Sequence, residues 1–121
     1  MLLQILKSKL HRIRVTESRL DYEGSLTLDP DDMEAVGIQP YEKILCADVE
    51  NGNRFETYAI EGRRGSHVCC LNGAAAHMGG VGDRLIVMAF AQMTPEEARG
   101  WQPRVRHFQP KDSNKLRKEK T

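Results

Sequence analysis

This sequence has no strong net charge, no paired-cysteine motif, no phosphate loop and no long apolar run, and each absence removes a class of function. Eighteen Lys and Arg stand against seventeen Asp and Glu, a formal charge of +1. Nothing in that balance marks a binder of nucleic acid or of a membrane surface. The cysteines Cys46, Cys69 and Cys70 are odd in number and include no Cys-x-x-Cys. They read as small core-filling thiols in a reducing, cytoplasmic compartment. The opening MLLQILKSK is too short an apolar run for a membrane span and lacks a small-residue cleavage site, so no signal peptide is expected. His11, His67, His77 and His107 form no metal-ligand spacing. His67 and Cys69 would share a strand face with His77 further on, but no metal is expected. GGVGD is not a dinucleotide or phosphate loop, and no Gly-x-Ser-x-Gly elbow occurs. No repeat or linker divides the 121 residues, which fit one domain small enough for a partner subunit to help stabilise it.

What is present is a series of short alternating runs. His11 to Glu17 reads as a half-buried strand with Ile13 and Val15 on one face. SLTLD repeats the period. Asp29-Pro30 then offers an N-cap and a first-turn proline, and Gly37 closes the short helix. EKILCADVE and RFETYAIEG flank Asn51-Gly52, a strong hairpin signal. HVCCLN and RLIVMAFAQM are two further strands around the loop GAAAHMGGVGD, and Thr94 to Glu97 is a capping box. RVRHF closes the set as a last strand. Six or so strands without a βαβ rhythm predict a compact, mainly antiparallel β barrel or sandwich. Residues 1–110 form that single domain. Residues 111–121 carry five basic and two acidic residues and read as a basic, solvated, disordered tail.

Two stretches stand apart. LDYEGSLTLDP centres on Gly24-Ser25, although Gly65-Ser66 shows that the dipeptide alone is an ordinary turn signal. In NRFETYAI, regular alternation puts Arg54, Glu56 and Tyr58 on one face and Phe55, Thr57 and Ala59 on the other. After Asn72, the run Gly73-Ala74-Ala75-Ala76 would let a ligand approach the backbone, or would simply be a tight loop.

In order, KLHRIRVT, YEGS, NGNRFETYAI, RGSHVCCLNGAAAH, GDRLIVMAF and EEARGWQPRV resemble the aspartate 1-decarboxylase family, pyruvoyl-dependent enzymes that make β-alanine for pantothenate and coenzyme A. The resemblance implies a six-stranded double-psi β barrel and a cytoplasmic homotetramer with sites at subunit interfaces. It implies autocatalytic cleavage of a zymogen between Gly24 and Ser25, Ser25 becoming the pyruvoyl group that takes up L-aspartate as an imine, or Schiff base. Neither a metal nor pyridoxal phosphate is then needed. By the same resemblance Tyr58 is the catalytic proton donor, and Thr57 supports both self-processing and substrate contact. Asn72, Gly73, Ala74 and Ala75 line the substrate, Lys9 and Arg54 hold its carboxylates, His11 is structural, and Gly65-Ser66 stays an intact turn. The chain departs from the family's pattern at Ala47, where a tryptophan is expected, which bears on substrate tightness. Two other classes remain open: a non-catalytic β-barrel module binding an acidic ligand or protein, and a nucleic-acid binder acting through the tail.

Overall fold

The computed structural model describes residues 1–109 and residue 114. Its elements are β1 (Leu3–Arg14), β2 (Glu17–Arg19), β3 (Ser25–Leu28), α1 (Pro30–Val36), β4 (Lys43–Asp48), β5 (Arg54–Glu61), β6 (Cys69–Asn72), a 3-10 helix (Gly73–His77), β7 (Arg84–Met93), α2 (Pro95–Arg99) and β8 (Arg104–His107). Several boundaries follow from local chemistry. Asp29 caps α1 by accepting the Asp31 N–H, Pro30 needs no N–H partner in the first turn, and Gly37 leaves the helix at φ 81°. Between β4 and β5, Gly52 takes φ 77° and the Asn51 side chain accepts the Asn53 N–H at 2.8 Å. Thr94 and Glu97 form the complete capping box of α2.

Hydrogen-bonded neighbours run β2, β6, β3, β5, β4, β7, β1, β8. β1 and β2 are one extended segment whose joint is itself paired. The Val15 N–H donates to Asp83 O and the Thr16 N–H to Cys69 O, both at 2.8 Å. The segment thus stands at both ends of the order, and the sheet closes on itself as a barrel. With β1–β2 counted once, six strands form it, and β8 adds in parallel beside β1. This settles barrel against sandwich. Four ladders are antiparallel, but three short ones are parallel, more mixed than the sequence pattern predicts.

The predicted strand from His11 to Glu17 needs correction. β1 starts at Leu3, ends at Arg14, and shifts register against β7 between Leu6 and Ser8 and between His11 and Ile13. Arg12 takes φ 67° at the second shift, an extra residue that turns a long strand sharply enough to wrap a small barrel. Near the first shift, the Trp101 indole donates to Leu6 O at 2.9 Å. The predicted loop after Asn72 begins instead as the 3-10 turn, with Ala75 packed into the core and Ala74 exposed.

Leu10, Ile13, Leu26, Ile44, Leu71 and Val87 fill the barrel. Cys46, Cys69 and Cys70 are free and buried; burial pushes the Cys46 thiol up to about 12 and raises Cys69 well above its ordinary value. Among the described residues no helix is long and apolar enough to cross a membrane. Asn114 departs from the predicted solvated tail. Its side chain accepts the Arg14 N–H at 2.7 Å and donates to Arg14 O and His67 O. The rest of that tail lies outside the described residues.

Candidate active site

β3 and β6 pair so that Ser25 faces Asn72 and Thr27 faces Cys70. Because side chains two apart share a face, these four form a polar square on one side of the sheet. Ser25 is 1% exposed. Its hydroxyl donates to Glu23 O at 3.2 Å and accepts from Asn72 Nδ2 at 3.0 Å. The same amide nitrogen reaches Thr27 Oγ1 at 2.8 Å. With Ser25 intact, these are the contacts of an uncleaved chain. Gly73 follows Asn72 at φ 63°, and a Cβ there would stand 2.6 Å from Tyr22 O and 2.8 Å from Gly24 N. The 22–24 segment therefore lies directly on a backbone that only glycine can provide. Gly65-Ser66 differs. Ser66 is exposed in a turn whose hydroxyl donates back to Arg63 O at 2.6 Å.

A cavity of about 350 Å³ opens beside Ser25, lined by Tyr22, Glu23, Tyr41, Tyr58 and Glu61 among others. β3 and β5 run parallel with Leu26 opposite Ala59. Carrying that register back sets Ser25 level with Tyr58, and Gly24 level with Thr57. Tyr58 also packs near Tyr41, ring centres 6.4 Å apart. The cavity has two carboxylates in its wall and no Lys or Arg.

The predicted cations lie elsewhere. Across β5, β4, β7 and β1, Arg54 lines up with Ala47, Ile86 and His11, and Glu56 with Leu45, Met88 and Lys9. Ile44, Cys46, Leu85 and Val87 point into the barrel, so Arg54, Tyr58, Ala47, Ile86 and Met88 belong to the outer face. Strand β5 has no register shift against β4, and Thr57 stays opposite Tyr58, as alternation predicts. Lys9 and Arg54 are three strand spacings apart and two residues out of line along the strands, about 16 Å at the backbone on a flat sheet. Among the described residues neither forms an ion pair. His11 is half-buried, edge-on to His107 with ring centres 5.4 Å apart.

His67 is not on a strand with Cys69; it precedes β6 at φ 54°. Its Nδ1 lies 3.1 Å from Asp32 and 3.8 Å from Asp29, and the three residues could offer ligand atoms within 4.8 Å of one another. These atoms are already engaged. Asp29 accepts the N–H groups of Asp31, Gly65 and His67, and Asp32 accepts Arg106 at 2.9 Å. Burial alone would raise Asp29, but the three backbone donors hold its carboxyl below the usual value. The cluster is a clasp between α1 and the 63–67 turn. His77 takes no part.

Thr27, Cys70 and Tyr22 were not among the predicted site residues. The signal for two of them was the strand period itself, because Thr27 is two residues after Ser25 and Cys70 two before Asn72.

The sequence model described as aspartate decarboxylase matches residues 1–116. An aspartate 1-decarboxylase of Salinibacter ruber is 48% identical over 119 residues, covering 98% of this chain and 80% of that protein. That of Lactiplantibacillus plantarum is 54% identical over 105 residues, 87% and 81% of the two chains. That of Phocaeicola vulgatus is 51% identical over 105 residues, 87% and 90%.

Proposed function

The chain belongs to the aspartate decarboxylase family, and we propose that its catalytic group is made from Ser25 by cleavage of the Gly24–Ser25 peptide. It is an enzyme, a carboxy-lyase that converts L-aspartate to β-alanine and carbon dioxide for pantothenate synthesis. One arrangement carries the self-cleavage. A buried serine hydroxyl is held by Asn72 next to a peptide laid on Gly73, whereas the other Gly-Ser pair is an exposed turn.

In the processing step Ser25 Oγ attacks the Gly24 carbonyl, the C–N bond breaks, and the proton from Oγ ends on the released nitrogen. The residue-25 Cα proton is then lost as Cβ–Oγ breaks, which frees a Gly24 carboxylate and leaves a dehydroalanine. A proton returns to Cβ as this becomes an imine, water adds at Cα, and ammonia leaves, giving a pyruvoyl terminus on residue 25. Thr57, level with Gly24, supports the carbonyl under attack. Asn72, Gly73, Ala74 and Ala75 surround the new terminus. The pyruvoyl ketone supplies an electron sink for the departing carboxyl, as other carbonyl cofactors do. Tyr58 Oη delivers a proton to the substrate carbon that loses carbon dioxide.

The cavity beside Ser25 is acidic, yet the substrate carries two carboxylates and one ammonium group. A second copy bringing its outer face against this cavity would supply Lys9 and Arg54, and guanidinium suits a carboxylate. The outer face fits that role, with half-buried Leu45, Ile86 and Met88 and 43% exposed Phe90. The working unit is thus a homo-oligomer, a tetramer in this reading, with sites shared between subunits. Three free cysteines suit a cytoplasmic location.

Mass spectrometry of the aged protein tests the cleavage. Fragments 1–24 and 25–121 are expected, the larger one trapped by borohydride together with aspartate. Ser25→Ala should remain one inactive chain, and decarboxylation by that variant would overturn the assignment.

A further inference from the structure

We propose that Cys70 is a positioning residue for self-cleavage, its thiol holding the Asn72 amide so that Nδ2 faces Ser25. This rests on the reading of Ser25 as the cleaved serine. Cys70 Sγ lies 3.2 Å from Asn72 Oδ1, while Asn72 Nδ2 lies 3.0 Å from Ser25 Oγ and 2.8 Å from Thr27 Oγ1. An Asn side chain can be turned end for end within nearly the same volume, so its partners decide which end points where. Thr27 decides little, because its hydroxyl can donate or accept by rotating, while Ser25, its proton given to Glu23 O, already favours nitrogen. A thiol is a donor and only a weak acceptor. It thus favours oxygen toward sulfur and nitrogen toward the serine.

Two further observations fit. Asn72 is 1% exposed and Cys70 3%, so both contacts are largely covered although the two residues border a surface cleft. Burial, with the charge of Glu17 adding to it, raises the Cys70 thiol, so the sulfur keeps its proton and stays a donor. The consequence falls on the attack at Gly24. As the Ser25 proton leaves, a donor aimed at Oγ stabilises the charge developing there. An inverted amide would put a carbonyl oxygen against it.

The test uses precursor chains purified before processing, with cleavage followed in time by mass spectrometry. Cys70→Ser retains a donor and should process near the parent rate. Cys70→Ala should process about tenfold more slowly, the scale of one lost hydrogen bond, at an unchanged melting temperature. Cys70 also lines a surface cleft of about 400 Å³, so Cys70→Thr and Cys70→Val give a second pair differing by a hydroxyl against a methyl. Thr should outpace Val. Equal rates within both pairs, in a parent that does cleave, would overturn the role of Cys70 and leave Ser25 as the cleaved residue. A parent that never cleaves would instead overturn the Ser25 reading, and this inference with it.

Discussion

At the scale of single residues, Gly73 and Tyr58 make separable demands. Gly73 sits at φ 63° with the Tyr22 carbonyl and the Gly24 backbone where a side chain would be. Gly73→Ala combines a left-handed backbone with a clash against main chain that cannot rotate away, together costing about 2–4 kcal/mol. The expected result is a lower melting temperature and loss of the 25–121 fragment. Full cleavage in Gly73→Ala would mean that the scissile segment is not laid on this glycine. Tyr58 lines the cavity without any described hydrogen bond to Ser25, so Tyr58→Phe should cleave normally. Its turnover should fall by about a hundredfold or more, the usual contribution of a placed proton donor. A kcat equal to the parent's would remove Tyr58 from that role. Neither demand could be read from residue type. Gly24-Ser25 and Gly65-Ser66 are the same dipeptide, and the difference is burial against Asn72, a partner 47 residues away.

At the scale of elements, punctuation was legible and closure was not. Asp29-Pro30, Asn51-Gly52 and Thr94 to Glu97 act within a few residues of chain, so their helix starts and hairpin follow from the sequence. The bulges of β1, the three-residue β2 and the parallel ladders depend on strands distant in the chain, which periodicity does not report. Asp48 is such a case. It ends β4 1% exposed, and Oδ1 accepts the N–H groups of Glu50 and Asn51. As a carboxylate its Oδ2 has no donor; only a proton shared with Asp83 joins the two groups. Burial first, then Asp83, raises Asp48 to about 6 from 3.8. The folded state thus binds this proton more tightly than the unfolded chain. Stability from it is complete below pH 3.8, declines as pH rises toward 6, and stays reduced above. Asp48→Asn places a permanent donor there and should raise stability at pH 8 by up to about 3 kcal/mol, with much less gain at pH 4.5. Denaturant melts at both pH values decide it, and equal gains would mean that the carboxyl pair is not what titrates.

At the scale of the whole molecule, one chain spreads the predicted site residues across its outer face, the cations apart from the serine. Ser25 and Tyr58 line an acidic cavity, with Asn72 hydrogen-bonded to the serine, whereas Lys9 and Arg54 stand further across the same outer face, among half-buried apolar residues. Strand alternation foresaw this much, since it placed Arg54 and Tyr58 together and Thr57 opposite. It could not foresee that the cavity beside the serine lacks any cation, because that depends on how loops 20–24 and 39–41 meet β5. If the cations come from a neighbouring copy, defects in the two halves must complement. Ser25→Ala chains keep Arg54 but cannot cleave; Arg54→Ala chains cleave but bind aspartate poorly. Each homo-oligomer should be nearly inactive. Co-expressed, some interfaces will pair a processed residue 25 from one chain with Arg54 from the other, and a substantial part of the activity should return. Recovery must also require association, so replacing Ile86 by Glu in both chains should abolish it while raising the monomer fraction on a sizing column. Failure to complement in a mixed assembly shown by mass to contain both chains would place Arg54 and Ser25 in the same protomer's site.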